Sequence, residues 1–392
     1  YTLKKVGDIM YKAYRFRMYP NNDQIILINK NFGCVRFVYN YFLNKCKNNK
    51  YYKAFDMCKE LKKLYVEYPF LKEVDSCSLR CSIFNLEDSF KNFFAKRSSY
   101  PCFKNKFSKQ SYRTNAIRSS YKGNNYCNIE IYKDINKIKL PKLGIVNIRG
   151  YRNLNKIEEK IINATIEKES TGKFYVSVVV ETKDIEVAKL EPTSIVGIDL
   201  GVKSLLTLSD GTVFENNKYI LKYEKRIKRI QRTLARKVKG SENYKKCKQK
   251  LATLHSKLAN ARKYYIHKIT KNITDEYDII TCEKLHTKEM IINGKKTTLS
   301  KNINDASFNE ILKQLEYKSK FKGKQFYQIY DYYPSSQTCS VCENIDKKYK
   351  NLNEREYKCT KCHLEIDRDL NASINIMFEG VKMYMKNYCS NY

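Results

Sequence analysis

The 392-residue chain is strongly basic, with 76 Lys and Arg against 41 Asp and Glu and a formal net charge of +35. A surplus of this size repels itself when a chain compacts, so it indicates a polyanionic partner such as a nucleic acid. The 42% hydrophobic content allows buried cores in about two or three domains, and the absence of any run of about 18 apolar residues predicts no membrane span. An AT-rich genome would enrich lysine but would not explain the excess of basic over acidic residues.

Cysteine usage favours a reducing compartment. Ten of the fourteen cysteines are spread without pattern, and no apolar stretch of signal-peptide length follows Tyr1. We therefore expect an intracellular protein with mostly free thiols. The remaining four cysteines form a pattern that is described below.

The N-terminal part of the chain begins with a strand and continues with helices. Residues 12–19 alternate in the way that a half-buried strand does, and Pro20 ends this pattern. From residue 24 to residue 94, apolar side chains recur at intervals of three and four, which predicts helices. Pro101 marks the end of this helical region.

Residues 111–181 consist of short β-branched segments bounded by proline and glycine, which is typical of strands. Together with residues 12–19, they predict a small β-barrel formed by residues 1–32 and 111–190. The helical domain, residues 33–110, would be an insertion between strands of the barrel. The individual strands are predicted at residues 128–132, 138–140, 145–148 and 174–180.

The C-terminal half predicts a second α/β domain. A buried strand at 195–199 and a second at 205–208, followed by Asp210-Gly211, form a predicted hairpin. Two further strands are predicted at 278–282 and 325–333.

Residues 221–270 are helical in pattern and contain seventeen Lys or Arg and two Glu. Gly240-Ser241 separates two apolar stripes, so the segment is interpreted as an antiparallel helical hairpin whose stripes are packing seams. Its basic face is the candidate nucleic-acid surface. The stripes consist of Ile227, Ile230, Leu234 and Val238, and of Leu251, Leu254, Leu258, Ala261 and Tyr265.

The strongest local motif is a pair of Cys-x-x-Cys units sixteen residues apart, Cys339 with Cys342 and Cys359 with Cys362. Each unit presents two thiolates, and two units complete a tetrahedral shell around Zn²⁺. Four thiolates leave no open position for catalysis, so the one zinc ion would be structural. We expect the adjacent His363 to be a bystander.

Three acids form the second constellation. Asp199 and Glu283 follow apolar strands, and Asp369 opens a predicted helix. A single acid at a strand end is more often a cap or an ion-pair partner. Placed jointly on a hairpin, a strand and a helix, the three resemble the acids of an RNase H-like fold. Such carboxylates could bind two Mg²⁺ ions, about 3.5–4 Å apart, for phosphodiester hydrolysis.

Taken together, these motifs resemble those of a known protein family. The C-terminal half resembles the RuvC nuclease domain of TnpB, the transposon-encoded RNA-guided DNA nuclease (OrfB family) that is related to type V CRISPR effectors. The resemblance covers nearly the whole chain. The residues that carry it are Gly197 to Lys203, Glu283 to Leu285, Gln314 to Lys318, Pro334 to Cys339 and Asp367 to Ile376, with Tyr14 to Pro20, Phe32 to Asn40, Tyr100 to Lys106 and Leu140 to Gly144 in the N-terminal half.

The resemblance implies a domain order and a set of roles. Residues 191–338 and 367–392 would form the RuvC-like domain, with the basic hairpin inserted at 221–270 and a zinc ribbon at 339–366. Asp199, Glu283 and Asp369 would be the catalytic, magnesium-binding acids, and Asp367 would not be a ligand. A wedge-like barrel and a helical recognition domain would grip a guide RNA transcribed from the element end and read a short motif beside the double-stranded DNA target.

The resemblance also implies a protein that is monomeric within its ribonucleoprotein, does not bind membranes and acts at the nucleoid in the cytoplasm of a prokaryote. The chain departs from the family where Glu343 and His363 replace the usual glycines after the Cys-x-x-Cys units, and where Ser373 replaces a common alanine. A glycine there relieves backbone strain, so the zinc loops are expected to differ slightly.

Alternative functions remain open at this stage. A compact type V CRISPR effector would have the same chemistry, with a guide from a repeat array. A non-cleaving RNA-guided DNA-binding regulator would lack catalytic acids, whereas this chain has all three. A DNA-joining transposase ranks low, because no Tyr with a His-x-His arrangement is present.

Overall fold

A computed structural model of the chain forms two compact units, Tyr1–Asp184 and Ile185–Tyr392. Among the described residues, no helix is long and apolar enough to cross a membrane. Residues 1–9, 151–159 and 183–190, which the predicted barrel includes, lie outside the described ranges. The structure describes residues 10–48, 53–121, 124–150, 160–182, 192–293, 298–331, 333–351 and 354–389.

The first unit contains a seven-stranded antiparallel sheet in the order β2-β8-β9-β1-β7-β6-β5. As the alternating pattern predicted, β1 buries Tyr14, Phe16 and Met18. In the described part of the chain, β2 and β5 stand at the two ends of this order, so closure into a barrel stays a prediction. The strands are β1 (Met10–Tyr19), β2 (Gln110–Asn115), β5 (Glu130–Tyr132), β6 (Lys137–Leu140), β7 (Gly144–Arg149), β8 (Lys160–Lys168) and β9 (Phe174–Thr182), with β3 (Arg118–Tyr121) and β4 (Asn124–Cys127) as a separate pair.

Three helices pack on this sheet and share its core: α1 (Asn22–Asn48), α2 (Ala54–Glu67) and α3 (Ser76–Phe94). They confirm the helical prediction for residues 24–94. Asp75 starts α3 by accepting hydrogen bonds from the backbone N–H groups of Cys77 and Ser78.

Several strands of the first unit were not predicted individually. Strand β2 pairs along its whole length with residues 163–168 of β8, but polar residues such as Asn163 interrupt the apolar pattern of β8. The strand predicted at 128–132 is shorter, because β5 begins at Glu130. The pairing of strands, which the sequence does not display, determines these bounds.

The second unit is built on a five-stranded mixed sheet in the order β12-β11-β10-β13-β14. Its first three strands are antiparallel, whereas β13 and β14 run parallel to β10. The strand predicted at 325–333 ends at Gln328. The strands are β10 (Ile195–Leu200), β11 (Ser204–Leu208), β12 (Val213–Glu215), β13 (Ile279–Cys282) and β14 (Gln325–Gln328).

The C-terminal helix α9 (Arg368–Cys389) lies in very close contact with this sheet. A Cβ atom on Gly197 of β10 would lie 2.1 Å from the carbonyl oxygen of Ser373 and 2.4 Å from the backbone nitrogen of Met377. A Cβ atom on Gly380 of α9 would lie 2.0 Å from Oγ1 of Thr281 in β13. The two glycines therefore allow α9 to lie directly against β10 and β13.

The basic segment forms the predicted helical hairpin, with α4 (Tyr219–Ala235) and α5 (Glu242–Glu276) packed together. Val238 lies beyond the last residue of α4 and is 78% exposed. It therefore does not belong to the predicted packing seam. Asp305 secures the base of the hairpin: its carboxylate lies 2.6 Å from Nε of Arg262 and accepts a hydrogen bond from the N–H of Ile220 at 3.0 Å. Three further helices complete the unit, α6 (Thr287–Asn293), α7 (Thr298–Ala306) and α8 (Phe308–Lys322).

The four cysteines belong to a small ribbon with its own core. A two-stranded sheet, β15 (Glu356–Lys358) and β16 (Glu365–Asp367), packs with the buried rings of Tyr349 and Tyr357 against the cysteines. Strand β16 ends at Asp367 and α9 begins at the next residue, so no loop separates the ribbon from the helix.

Candidate metal centres and basic cleft

Asp199 and Glu283 stand side by side because their strands are parallel neighbours. Strand β10 pairs with β13 in a register that joins Ile198 to Cys282, so the next residue along each strand is an acid. Asp199 still belongs to β10, where it pairs with Thr207, and Glu283 directly follows β13. Both side chains are half-buried. The strand predicted at 195–199 is confirmed, and β10 extends one residue further, to Leu200.

Asp369 joins this group from the first turn of α9. Its neighbour Asp367 caps the helix, because Oδ1 of Asp367 accepts hydrogen bonds from the N–H groups of Asp369 at 2.9 Å and Leu370 at 3.0 Å. The carboxylate of Asp369 instead contacts two guanidinium groups, those of Arg368 at 3.1 Å and Arg355 at 3.5 Å. The two aspartates of the Asp-Arg-Asp unit therefore have different partners.

The surroundings of Asp199 disfavour its ionisation. The pKa of Asp199 lies well above its ordinary value, first because of burial and then because of the nearby charges of Glu283 and Asp369, while Arg368 acts in the opposite direction. Burial also raises the pKa of Glu283. A bound cation would relieve this repulsion, and carboxylate oxygens are the donors that Mg²⁺ prefers. The residues present therefore fit a magnesium site.

Sequence analysis did not identify Ser335 as a functional residue of this group. The hydroxyl of Ser335 donates a hydrogen bond to Oε1 of Glu283, and it counteracts the effect of burial on the pKa of that acid. Ser335 is 4% exposed. It lies 52 residues after Glu283, and no local pattern relates the two, so the contact appears only in the folded chain.

The four cysteines of the ribbon meet in one cluster, in which all Sγ atoms lie within 4.8 Å of one another. Among the described residues, these four cysteines are the group of three or more potential metal ligands that lies this close together. The sulfurs of Cys339 and Cys362 are 3.5 Å apart, as are those of Cys342 and Cys359. Tetrahedral zinc with Zn–S bonds of about 2.3 Å separates its sulfurs by about 3.8 Å, so the cluster fits a structural zinc ion.

The backbone beside Cys359 favours the thiolate form of that residue. The N–H groups of Lys361 and Cys362 lie 3.4 Å and 3.5 Å from Sγ of Cys359. The hydrogen bond from the N–H of Cys362 is the largest of the effects that lower the pKa of Cys359 to about 6. Because the thiolate is the form that binds a metal ion, this arrangement prepares the site for zinc.

The residues after the two Cys-x-x-Cys units adopt left-handed backbones, with φ of +59° at Glu343 and +58° at His363. The N–H of Glu343 donates to the carbonyl of Cys339 at 3.0 Å, and that of His363 donates to the carbonyl of Cys359 at 3.1 Å. Both turns thus have the geometry for which glycine is suited, and the two non-glycine residues are strained there. The side chain of His363 is exposed and lies outside the cysteine cluster.

A cleft of about 850 Å³ lies between α4 and α5 of the basic hairpin. Six of its lining residues are cationic and none is acidic, so its electrostatic potential should attract a phosphate backbone. The sequence predicted the basic surface but did not indicate which cations surround the cleft. These are Arg226, Arg229, Lys237, Lys246, Lys250 and Lys257.

Three family matches cover separate parts of the chain. Residues 177–293 match the OrfB_IS605 family, described as "Probable transposase", and residues 308–376 match the TNB domain of Cas12f1-like proteins. Residues 10–54 match a helix-turn-helix domain of the same OrfB_IS605 type. In the structure, residues 10–48 form strand β1 and the single long helix α1 rather than two helices joined by a turn.

Two relatives match the chain over most of its length. A Streptomyces pristinaespiralis protein named "Putative RNA-guided DNA endonuclease" is 32% identical over 381 residues, which cover 94% of this chain and 89% of that protein. InsQ of Escherichia coli K12, which has the same description, is 31% identical over 388 residues, which cover 94% and 92%.

The fold is similar to that of Cas12f1 in a cryo-EM complex with sgRNA and target DNA. The TM-score is 0.52 at 14% sequence identity, over 94% of this chain and 99% of that one. Together with the two relatives that match at full length, the family matches show that the chain belongs to the TnpB (OrfB_IS605) family.

Proposed function

We propose that this chain is a transposon-encoded, RNA-guided DNA endonuclease in which Asp199, Glu283 and Asp369 hold catalytic Mg²⁺. The observation that carries the proposal is that these three acids, which are far apart in sequence, come together where the parallel strands β10 and β13 end. The names of the two relatives that match over most of the chain support the activity. A hairpin, a parallel strand and a helix that each contribute one acid are the arrangement expected of an RNase H-like RuvC domain.

Different groups of the protein would have different roles in phosphodiester cleavage. Two Mg²⁺ ions held by such carboxylates would supply an activated water and a stabilised leaving oxygen. The register of β10 and β13 sets the spacing between Asp199 and Glu283, and Ser335 orients the second of these acids. Arg355 holds Asp369 while its own side chain stays 41% exposed, so it is accessible to a substrate phosphate.

The guide RNA and the target DNA would be held mainly through their backbones. The cations of the cleft between α4 and α5 suit a phosphate backbone, whose sequence is read by base pairing rather than by side chains. Binding should therefore weaken steeply with salt. We assign the gripping of the guide RNA, and the reading of a short motif beside the target, to the barrel-like sheet and helices of the first unit.

A reconstitution experiment tests this function. RNA that co-purifies with the protein from its native locus is sequenced, and a DNA target matching its guide portion is offered with Mg²⁺. A discrete RNA that extends into the element flank, together with Mg²⁺-dependent cutting, is the expected result. Heterogeneous RNA that is lost in moderate salt, without cutting, would contradict a guided nuclease. A repeat array beside the gene, in place of an element end, would indicate a CRISPR effector.

The Asp-Arg-Asp unit offers a matched pair of variants for the cleavage assay. Asp369→Asn should reduce cutting to background, because it removes a metal-binding carboxylate. Asp367→Asn should cut like the wild type, because asparagine caps a helix about as well as aspartate. Wild-type cutting by Asp369→Asn, or by Asp199→Ala, would exclude the proposed carboxylate mechanism. If the wild type bound the guide RNA and the target DNA but did not cut the DNA, the protein would instead be a non-cleaving regulator.

A further inference from the structure

A short segment of the chain, residues 334–340, connects the carboxylates with the zinc ribbon. At one end, Ser335 donates its hydroxyl hydrogen bond to Glu283. Four residues later, Cys339 contributes the first sulfur of the cysteine cluster. A displacement at either end of so short a segment will therefore act on the other end.

Two buried side-chain amides on α9, one turn apart, hold this segment in place. Nδ2 of Asn375 donates to the carbonyl of Ser335 at 2.8 Å and to that of Thr338 at 2.6 Å. Nδ2 of Asn371 donates to the carbonyl of Thr338 at 2.7 Å, and its Oδ1 accepts from the N–H of Ser340 at 3.0 Å. Asn371 is fully buried and Asn375 is 4% exposed. Hydrogen bonds buried in this way resist exchange with water and fix the segment against the helix.

The helix that supplies these amides also carries the third acid. Asp369 lies two residues before Asn371, and the ribbon strand β16 continues into α9 without a loop. The buried guanidinium of Arg368 makes a second connection, since it donates to the carbonyl of Asn351 in the ribbon at 3.0 Å and contacts Asp369. The ribbon is thus attached to the positions of two of the three acids, Glu283 and Asp369.

We propose that zinc binding by the ribbon and divalent-metal binding by the carboxylates are coupled, with Ser335, Asn371 and Asn375 as positioning residues. The inference rests on the proposed role of the carboxylates as metal ligands. When zinc holds Cys339, the amides keep the segment against α9 and the hydroxyl of Ser335 orients Glu283. Loss of zinc frees the segment and lowers the affinity of the carboxylates for Mg²⁺.

Coupling between two sites is reciprocal, so Mg²⁺ should in turn protect the zinc. The concentration of a zinc-selective chelator that releases half of the zinc from the full chain at equilibrium is measured with and without millimolar Mg²⁺. We expect this concentration to be about five-fold higher or more with Mg²⁺, within the usual range of coupling between sites. Asp199→Ala should show no such protection. Equal release with and without Mg²⁺ in the wild type would overturn the coupling.

Direct measurement of Mn²⁺ binding by electron paramagnetic resonance separates the two proposals. If Mn²⁺ binds to the wild type but not to Asp199→Ala, the carboxylates are a metal site, and the zinc-release result decides the coupling alone. If both proteins bind Mn²⁺ alike, the proposed function fails at this site and the coupling fails with it.

Variants identify the positioning residues. Ser335→Ala should lower Mn²⁺ affinity about tenfold, the usual effect of removing a partner of a metal ligand, and Ser335→Thr should restore it. Ser319→Ala is the matched control, because Ser319 is fully buried in the same unit and its hydroxyl has no hydrogen-bond partner among the described residues. Wild-type affinity in Ser335→Ala would exclude a positioning role for that residue.

Asn371→Ala tests the amide connection itself. If circular dichroism shows that this variant is folded, it should give up its zinc at a lower chelator concentration than the wild type does. It should also lose the protection of zinc by Mg²⁺. Full protection in a folded Asn371→Ala would remove this amide from the connection. If the variant does not fold, the Mg²⁺ dependence of zinc release in the wild type and the Ser335 pair still decide the proposal.

Discussion

Gly197 is the position where one added methyl group should move an acid of the candidate centre. A Cβ atom there would lie 2.1 Å from the carbonyl oxygen of Ser373 and 2.4 Å from the backbone nitrogen of Met377. Both are backbone atoms of α9, so no side-chain rotation relieves the contact. Ordinary contact requires about 3.4 Å, and Gly197→Ala should therefore displace α9 by roughly 1.3 Å, because packed elements shift rather than compress.

This displacement should affect cleavage more than stability. Because Asp369 lies on the first turn of α9, a shift of about 1 Å should lower the rate of cleavage about 100-fold. The overpacking should lower the free energy of unfolding by about 1–3 kcal/mol. The assay is single-turnover cleavage of a labelled target by the assembled ribonucleoprotein, with guide RNA binding and thermal melting measured in parallel.

The matched control is Gly33→Ala in α1. Nothing lies within 4 Å of a Cβ atom at Gly33, and alanine is favoured over glycine inside a helix by about 1 kcal/mol. This variant should therefore cut like the wild type and melt at the same or a higher temperature. A wild-type rate and melting temperature in Gly197→Ala would refute the reasoning, because α9 would then not be held against β10 as closely as described.

Four other substitutions test the metal centres. Glu343→Gly and His363→Gly should each raise the free energy of unfolding of the zinc-loaded protein by about 1 kcal/mol, since glycine adopts the left-handed backbone without strain; a lower melting temperature in calorimetry would contradict this. Asp199→Asn should abolish cleavage but raise the melting temperature of the zinc-loaded protein without Mg²⁺, because it removes a carboxyl group whose charged form is disfavoured by burial and by the two nearby acids. Without Mg²⁺ the zinc-loaded wild type should lose stability as pH rises from the ordinary carboxyl range through the raised pKa of Asp199, because the folded state binds that proton more tightly than the unfolded state. An equal loss in Asp199→Asn would assign the pH dependence to other groups. Cys339→Ser should lose zinc and melt earlier, because structural zinc contributes folding free energy; unchanged zinc content and melting temperature would exclude the zinc ribbon.

Local patterns in the sequence were sufficient to predict several individual elements of the chain. The two Cys-x-x-Cys units predicted the cysteine cluster because the ligands of each unit are neighbours in the chain. Alternation predicted β1, and apolar spacing predicted both helices of the basic hairpin. At Glu343 and His363, where the absence of glycine led us to expect slightly different zinc loops, the backbone is left-handed.

Contacts between distant parts of the chain could not be predicted from such patterns. Nothing in the sequence relates Ser335 to Glu283, or the amide of Asn375 to the carbonyl of Thr338, because these pairs depend on how α9 and the loops pack. The register between β10 and β13, which makes neighbours of Asp199 and Glu283, is likewise a property of the sheet. The resemblance to a family suggested which acids belong together, and the structure supplied their geometry.

The late position of α9 in the chain has a consequence for when the protein can become active. A polypeptide that ends before this helix contains Asp199 and Glu283 and the whole basic hairpin, but its sheet lacks the covering that Gly197 and Thr281 accommodate. Such a fragment could hold nucleic acid without cutting it, so a chain still being synthesised would be harmless to DNA. Only with α9 does the chain acquire Asp369, the third acid of the proposed site, so the last part of the chain to be made would complete that site.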